Sequence, residues 1–372
     1  MVGNQKSSGY LIIVLVLLVL ALFFGWLGYQ PGTLLNEYAR GVGLALFGVA
    51  LVVAITEVLG RRRNQQLIAY LENQTKVQED AQLKHNMEAL RTQLIREISS
   101  GDPGLTAKAL RELDVQGWIT DGTLANTDLS HAHLQGANLG WANFSGAHLH
   151  QIDLQGADVS YANFSAADLT GAKMARADLD LANMTESNVR DADMNLCSMN
   201  ETDLTGATMD RAVFSGATMV EAILNKAQGE NVALNGVNLE RANLIESNLP
   251  YVNMERAILT GANLGWANLS KANLEKANLS EANLSGANLD EARLAGADFS
   301  GAFLFGTRLS LKQLSTVKSL ANATMPDGTK YEDWVRSQGN ENSPAEYFAS
   351  PESPPTSTSE SPLDYRPAAE EA

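Results

Sequence analysis

Histidine and methionine are the residue types in this 372-residue chain whose spacing could support metal chemistry. Imidazole nitrogens bind divalent metals, and thioether sulfurs bind copper. Four of the five histidines fall close together, at His131, His133, His148 and His150. Six methionines recur at multiples of five, at Met174, Met184, Met194, Met199, Met209 and Met219. We expect no metal site, because the histidines are interleaved with acidic residues on a solvated surface and the methionines fall on positions that predict an adaptable apolar core. A weak divalent-metal site at the edge shared by His131 and His150 is the alternative.

No combination of residues predicts catalysis. The sequence has no glycine-rich phosphate loop and no nucleophile with a suitably spaced histidine and acid. Cys197 is the single cysteine, which excludes a disulfide framework and a zinc site of several thiolates. Its place in the repeat pattern described below predicts an inert buried thiol. We therefore expect a protein that is not an enzyme, with no catalytic residues and no cofactor.

The charge balance argues against direct binding to nucleic acid. The chain has 27 basic and 43 acidic residues, a net charge of −16, whereas a protein that binds phosphates needs a cationic surface. Residues 120–309 carry −12 of this charge, and residues 331–372 carry −7. We expect the −12 to be spread in bands over the surface and to be partly compensated by basic residues among them.

The first 60 residues predict two transmembrane helices, over about residues 11–27 and 42–59. The first segment has no charged residue and comes close to the length that a bilayer core of ~30 Å requires. Glu57 lies near the end of the second segment and is predicted to reach the membrane interface. The second segment is followed by three arginines, Arg61, Arg62 and Arg63, which by the positive-inside rule place the rest of the chain in the cytoplasm. A cleaved secretory signal is the alternative for the first segment.

Residues 61–103 predict a cytoplasmic helical stalk, because they are rich in helix formers and have no proline before Pro103. An apolar stripe of 4-3-4 spacing suits a coiled-coil seam, and hence a homo-oligomer, through Leu83, Met87, Leu90 and Leu94. A solvated single helix is the alternative. Residues 104–119 predict a helical cap for the segment that follows.

Residues 120–309 repeat with a period of five. A large apolar residue occupies each of the 38 positions from Leu124 to Leu309 in steps of five, except Gly229. A small residue lies two positions before most of them. Five residues turn an α-helix through about 500°, so these positions would share no helix face. A fixed short period is instead typical of a solenoid, in which each repeat buries its apolar residues against its neighbours.

The repeat resembles the pentapeptide-repeat family, whose pattern is Ala-(Asp/Asn)-Leu-x-x. The sequence shows this pattern without interruption from Ala262-Asn263-Leu264 to Ala282-Asn283-Leu284. The resemblance implies a mainly β fold, a right-handed quadrilateral β-helix with four repeats per coil, here joined to a transmembrane helical hairpin and a helical stalk. It also implies an inward-facing core that includes Leu124, Leu139, Phe144, Phe164, Leu264, Leu269, Leu274, Leu279 and Leu284.

A coil of twenty residues predicts which outward side chains stack on one another. Opposite charges then neighbour each other in one column, and asparagines form a ladder in another, both of which stacked strands tolerate. Trp141, Tyr161 and Leu181 form a single exposed apolar column. We interpret this column as a candidate docking surface. Contact with the preceding stalk helix is the alternative.

Residues 310–335 predict a cap over the C-terminal end of the solenoid. It begins with a short helix from Ser310 through LKQLSTVKSL, and we expect it to cover Phe303 and Phe305. Residues 336–372 are rich in Ser, Pro and Glu, and this composition predicts a disordered acidic tail.

Together these features predict a membrane-tethered, non-enzymatic scaffold that presents a rigid cytoplasmic β-helix to a protein partner. The other expected partners are the lipid bilayer and a second copy of the chain through the stalk. Resemblance to membrane-linked cyanobacterial members implies an integral protein of a bacterial plasma membrane or a thylakoid. Relatives in the family also imply two alternatives: a DNA mimic that regulates a type II topoisomerase, and an accessory factor for membrane lipid or metal transport.

Overall fold

The computed structural model describes residues 4–27 and 36–338. A long run of parallel β-bridges lies between helices. The helices among the described residues are α1 (Asn4–Leu27), α2 (Asn36–Ile98), α3 (Pro103–Val115), α4 (Leu311–Leu314) and α5 (Tyr331–Gln338). The chain forms two compact units, Met1–Ala89 and Leu90–Ala372.

The first unit consists of α1 and the greater part of α2. The two helices touch at Gly43, where a Cβ would lie 3.0 Å from the Gly25 nitrogen and 3.1 Å from the Ala21 oxygen. Small residues at such a contact let two helix backbones approach closely. The predicted N-terminal helices are therefore present and packed together.

Helix α2 is continuous through residue 60, where the sequence analysis divides the second apolar segment from the stalk. The stripe predicted as a coiled-coil seam is split along this helix. Leu83 and Met87 are exposed, whereas Leu94 is buried in the second unit and Leu90 packs against the same core. The expectation of one uninterrupted seam is wrong, because the last turns of α2 close the repeat domain of their own chain.

These last turns of α2 and helix α3 form the N-terminal cap of the second unit. The Asp102 carboxylate begins α3 by accepting hydrogen bonds from the N–H groups of Gly104 (2.7 Å) and Leu105 (3.2 Å). The buried face of α3 presents Ala109 and Leu113 to the core. The cap predicted over residues 104–119 thus also includes the end of α2.

Residues 124–309 form a solenoid of four-sided coils. Parallel bridges join residues that are twenty apart, from Asp128–His148 to Asn288–Arg308. Backbone hydrogen bonds also connect successive coils; the Leu134 N–H, for example, donates to the Asp153 carbonyl at 2.7 Å. Since one repeat supplies one side, four repeats complete each coil, as the outward columns predict.

The central residue of each repeat and the residue two before it fill the interior. The nine core residues that the resemblance implies are each at most 1% exposed. The rings of Phe144 and Phe164 stack with their centroids 5.1 Å apart. Gly229 leaves no cavity, because a Cβ there would lie 2.8 Å from Met209 Cγ and 2.8 Å from Val232 Cγ2. Neighbouring side chains therefore occupy the space of the missing one.

Each side of a coil ends in a turn with two recurring features. The residue before the central one is often Asn or Asp, and its side chain accepts a hydrogen bond from the amide two residues on, as Asn268 does from Ser270 at 3.2 Å. The residue two after the central one, which we call the corner residue, has a positive φ in most repeats. Trp141, Tyr161 and Leu181 are corner residues with φ of 65°, 58° and 60°. This conformation points their side chains away from the core.

The C-terminal cap begins with α4, which has four residues and does not extend to Leu320 as predicted. Gln313 Nε2 donates to the carbonyls of Leu289 (2.7 Å) and Ala292 (2.9 Å), which satisfies acceptors at the end of the solenoid. The chain leaves the helix early because Ser319 forms a bridge with Asp298 and extends the stack. Helix α5 reaches Gln338, so the start of the predicted tail is helical; residues 339–372 lie outside the described residues.

Candidate interaction surface

Trp141, Tyr161 and Leu181 lie on three successive coils, and we call them the aromatic strip. The amide of each donates at 2.9 Å to a carbonyl of the next coil, so the backbone fixes their spacing. The rings of Trp141 and Tyr161 stack with centroids 4.2 Å apart and planes 4° apart. The structure thus brings together the three residues that the twenty-residue spacing predicts.

The aromatic strip is open to solvent. The exposed fraction is 64% for Trp141, 44% for Tyr161 and 41% for Leu181. The alternative was coverage by the preceding helix, and Leu90–Ile98, the part of that helix within this unit, leaves the strip exposed. A contiguous apolar surface of this kind is typical of a binding site. Its role as a docking surface stays a prediction.

The side of the solenoid that carries the strip is also the most acidic. We call this side the acidic face; its repeats have central residues from Leu139 to Phe299 in steps of twenty. It has one basic residue, Arg241, and eight acidic ones: Asp158, Asp178, Asp180, Glu201, Glu221, Glu240, Glu281 and Asp298. The other three sides carry net charges of −2, −3 and +1. The net charge is therefore largest on one side, while the acidic residues of the other sides are largely compensated by basic ones, which agrees with the expected banded and partly compensated surface.

Beside the aromatic strip, two carboxylates face each other. Asp158 and Asp178 are joined by a parallel bridge. Asp158 accepts hydrogen bonds from the amide (3.0 Å) and hydroxyl (2.7 Å) of Ser160, and Asp178 accepts one from the Asp180 amide at 3.0 Å. Within the described part of the chain, neither forms an ion pair. Because like charges stacked across strands are destabilising, a cation supplied from outside would stabilise this pair.

Acidic residues on another side of the solenoid do have basic partners. Arg211 donates to both carboxylate oxygens of Asp191 at 2.6 Å, and Arg190 donates to Asp210 at 2.7 Å. The hydrogen bond from Arg211 holds the pKa of Asp191 below its ordinary value, and the hydrogen bond from Arg190 does the same for the pKa of Asp210. Asp158 and Asp178, by contrast, have no basic partner among the described residues.

The clustered histidines lie near one another at the N-terminal coils. The rings of His131 and His150 meet edge to face with centroids 5.7 Å apart. Hydrogen bonds from Ser130 lower the pKa of Asp128, and the nearby His148 and His131 lower it further. Among the described residues, no group of three or more His, Cys, Asp or Glu is arranged to hold a metal ion. That the protein binds no metal stays a prediction.

The six methionines that could suggest a copper site are core residues, each with 0% exposure. Their flexible side chains fill the irregular interior. Cys197 is buried beside them, with its Sγ 2.9 Å from the Met174 carbonyl oxygen. Burial raises the pKa of Cys197 to about 12. The thiol is therefore a core group with little thiolate character at neutral pH.

A second group of exposed aromatic residues, which was not predicted from the sequence, lies near the C-terminal end of the solenoid. Trp266, Phe303 and Phe305 are 52%, 50% and 60% exposed, so the expectation that the cap covers the two phenylalanines is wrong. From the cap, Lys330 Nζ lies 5.8 Å from the Phe303 ring centroid, and the ring stays half exposed. Trp266 lies over Gly286, where a Cβ would come within 2.5 Å of the indole. Trp266 and Gly286 are corner residues that are twenty apart, and this spacing could have predicted their contact from the sequence.

Comparison with known proteins agrees with this architecture. The sequence model described as pentapeptide repeats matches in eight copies, over residues 124–160, 162–200, 197–228, 238–275 and 272–310. The solenoid is similar to HetL, a pentapeptide repeat protein involved in heterocyst differentiation regulation from the cyanobacterium Nostoc sp. strain PCC 7120. The two are 28% identical with a TM-score of 0.57, over 60% of this chain and 98% of HetL.

Two further solved structures of this kind have lower TM-scores. Rfr23, a pentapeptide repeat protein from the cyanobacterium Cyanothece 51142, is 30% identical over 30% of this chain and 62% of its own, with a TM-score of 0.14. QnrB1, a plasmid-mediated fluoroquinolone resistance protein, is 16% identical over 52% of this chain and 90% of its own, with a TM-score of 0.26. No curated protein matches the chain.

Proposed function

Because the chain belongs to the pentapeptide-repeat family, whose members fold as right-handed β-helices, we propose that it is a membrane-tethered, non-enzymatic scaffold that binds a protein through its repeat domain. The observation that carries this proposal is the exposed aromatic strip on the acidic face. Trp141 and Tyr161 offer rigid rings that need little further ordering on binding.

The composition of the first unit supports the tether. Helix α2 is long and apolar enough to cross a membrane, and α1 contains a shorter apolar stretch, Ile12–Trp26. Large apolar side chains point outward from these helices; Leu22 is 72% and Leu44 is 74% exposed. Such exposure is unfavourable in water and favourable in lipid. We propose that the two helices form a transmembrane hairpin.

The orientation follows from the arginines at the end of the apolar part of α2. Arg62 and Arg63 are exposed, and the side chain of Arg61 lies outside the described residues. By the positive-inside rule, this basic segment favours the cytoplasmic side for the repeats. The likeness to HetL, a cyanobacterial protein involved in heterocyst differentiation regulation, supports a bacterial source, and we propose a bacterial plasma membrane or a thylakoid as the location.

The test uses the full chain in its native membrane. Membranes are washed with alkaline carbonate to establish that the chain is integral, and its protein neighbours are then captured by cross-linking. We expect Trp141→Ser/Tyr161→Ser to remove one or more cross-linked proteins, whereas Trp266→Ser, which alters a comparably exposed tryptophan elsewhere, retains them. Release of the chain by carbonate would contradict the tether. An unchanged set of neighbours in the double variant would contradict docking through the strip.

The concentration of acidic residues on one face favours DNA mimicry as a second candidate. Charge density argues against it. The acidic face spans about 40 Å, taking ~4.8 Å per coil, so its net charge amounts to roughly one per 6 Å, against roughly one per 1.7 Å of duplex DNA. A supercoiling assay with DNA gyrase and the purified full chain separates the two candidates. We expect no inhibition, and inhibition at equimolar chain would make mimicry the primary function.

A further inference from the structure

We propose that the aromatic strip and the carboxylates beside it bind a cationic segment of a partner protein, with an arginine guanidinium on the face of the Trp141 ring that does not stack on Tyr161. This inference rests on the proposed function and specifies the chemistry of the partner. The second unit holds cations of its own against aromatic rings, and such a contact is missing among the described residues at the strip.

The chain contains an arginine bound in this manner immediately before the strip. The Arg91 guanidinium lies 4.6 Å from the centroid of the Trp118 ring, and its Nη2 donates to the Asp121 carboxylate at 2.8 Å. Asp121 is twenty residues before Trp141, in the same corner column. An aromatic ring and a carboxylate at this end of the acidic face thus already hold a guanidinium between them.

A second cation contacts an exposed ring further along the solenoid, here through the ring's hydroxyl group. Lys271 Nζ lies 5.1 Å from the Tyr251 ring centroid and 3.0 Å from the Tyr251 hydroxyl, one coil away. Tyr251, an exposed corner residue of the solenoid, thus has a cation of its own chain beside it. The aromatic strip has exposed rings and nearby carboxylates, but the described residues place no cation over Trp141 or Tyr161.

Charge also favours a cation over an anion at this position. Asp158 and Asp178 face each other without an ion pair, and the next residue of the corner column beyond Leu181 is Glu201. Arg241 is the one basic residue of the acidic face, and it pairs with Glu221 at 2.9 Å, beyond the strip. A cationic group would relieve the repulsion between the two aspartates. Nucleic acid and anionic lipid headgroups would be repelled.

Arginine fits this site better than lysine. Its planar guanidinium can stack on an indole and donate to a carboxylate at the same time, whereas an ammonium acts as a point charge. Successive coils lie ~4.8 Å apart, which is close to the ~5–6 Å between side chains four apart on a helix. The fitting partner segment is therefore a helix with arginines at every fourth position and an apolar residue against Leu181.

The experiment measures binding of a synthetic peptide to the full chain in nanodiscs of neutral phosphatidylcholine. The probe is an alanine-based helical peptide with arginine at every fourth position; companion peptides carry lysine or glutamine instead. We expect saturable binding of the arginine peptide, weaker binding of the lysine peptide and none of the glutamine peptide. Trp141→Leu should weaken binding by about five-fold, and Asp158→Asn/Asp178→Asn by a similar factor.

A matched control removes the same charge from the far part of the acidic face. Glu240→Gln/Glu281→Gln should leave the affinity within about two-fold of wild type, and far-ultraviolet circular dichroism establishes that all variants are folded. Equal loss in this control would show general attraction to acid and overturn the inference, as would no binding by the wild-type chain. The peptide assay and the cross-linking assay can give different results. If the peptide does not bind but the Trp141→Ser/Tyr161→Ser variant still loses a cross-linked protein, the proposed cationic partner is wrong and the proposed scaffold function is supported.

Discussion

At the scale of the residue, the small inward site of a repeat accepts a hydroxyl group where a carbonyl oxygen lies within reach. Thr202 Oγ1 donates to the Leu179 carbonyl at 2.8 Å, and Ser187 Oγ donates to the Met184 carbonyl at 2.7 Å. Ser247 occupies the same kind of site with 1% exposure, yet its Oγ has no hydrogen-bond partner. A buried hydroxyl without a partner retains its desolvation cost. Two serines at equivalent sites should therefore affect stability differently.

We predict that Ser247→Ala leaves the free energy of unfolding unchanged or raises it by up to about 1 kcal/mol, because no hydrogen bond is lost. Ser187→Ala should lower it by about 1 kcal/mol, because a buried bond is lost. Urea unfolding followed by circular dichroism measures both. Equal destabilisation by the two substitutions would contradict the assignment.

A second prediction concerns Gly286, whose missing side chain makes room for Trp266. Gly286→Ala would place a Cβ within 2.5 Å of the indole, whereas at Gly156, another corner residue, a Cβ would meet nothing within 4 Å. Both substitutions place Ala at a positive φ, which costs ~1 kcal/mol. Gly286→Ala should cost at least about 1 kcal/mol more and shift the tryptophan emission. Identical unfolding midpoints for the two variants would show that Trp266 moves aside freely.

The inward residues were predictable because a period of five leaves one large apolar position per repeat. The positive φ of the corner residues was not predicted. Tryptophan, tyrosine and leucine all occupy that position, so side-chain type does not reveal the backbone conformation. The glycines that recur at the same position, such as Gly136 and Gly156, carried the usable signal, since glycine adopts positive φ without strain.

At the scale of the element, the end of α2 shows why an apolar stripe does not identify its partner. The spacing of Leu83, Met87, Leu90 and Leu94 is correct for a coiled coil, but Leu94 and Ile98 are 4% and 1% exposed in the N-terminal cap. Burying the open end of the solenoid requires apolar surface, and the last turns of α2 supply it. The periodicity of the apolar residues indicates that one face of the helix is buried, but it does not indicate which surface that face packs against.

We predict that Leu94→Ala lowers the free energy of unfolding by ~2–4 kcal/mol, because it opens a cavity in the cap. Leu83→Ala, at a position that is 59% exposed, should change it by less than about 0.5 kcal/mol. Sedimentation of the Leu83→Ala chain in detergent supplies the control for self-association. A change in oligomeric state in that variant would restore the coiled-coil interpretation.

The C-terminal cap should loosen in acid. Hydrogen bonds from Ser300 and then from Lys318 hold the pKa of Asp298 below its ordinary value, and the amide of Asn322 lowers the pKa of Glu332. A lowered pKa in the folded state contributes stability that is present above the unfolded pKa of about 4 and is lost as the pH falls through the folded value.

The corresponding test follows thermal unfolding at pH 7 and at pH 2.5. Asp298→Asn should lower the stability at pH 7 by no more than about 1 kcal/mol and should reduce the difference between the two pH values. Lys318→Met, which leaves the Ser300 hydrogen bonds in place, should show a smaller effect. An Asp298→Asn chain with the full acid sensitivity of wild type would exclude this carboxylate as a contributor.

At the scale of the whole molecule, the sequence predicted the order of the segments better than the distribution of charge. The repeat domain follows two apolar helices, as the change from long apolar segments to a five-residue period indicates. The sequence predicted that the charge of residues 120–309 is spread in bands and partly compensated, but it did not predict that −7 of the −12 lies on the face that carries the aromatic strip. The side of the solenoid on which a charged residue lies can be assigned only once the number of residues per coil is known.

Cys197 provides a probe for opening of the solenoid, because each coil is held by its neighbours. With its pKa raised by burial to about 12, the thiol should react with Ellman's reagent at pH 8 at least ~1000-fold more slowly than an ordinary cysteine of pKa about 8.5. Urea should restore the ordinary rate. A fast reaction in the native chain would mean that the middle coils open locally.

The coil of twenty residues also limits how the repeat region can change in length. Insertion or deletion of a single pentapeptide would keep the five-residue period and the apolar core, yet it would rotate every later residue by a quarter turn. The acidic face would then be broken into two segments on adjacent sides. A change of four pentapeptides would leave the sides aligned and only lengthen the solenoid. Length variants that retain the whole acidic face on one side should therefore differ in steps of one whole coil.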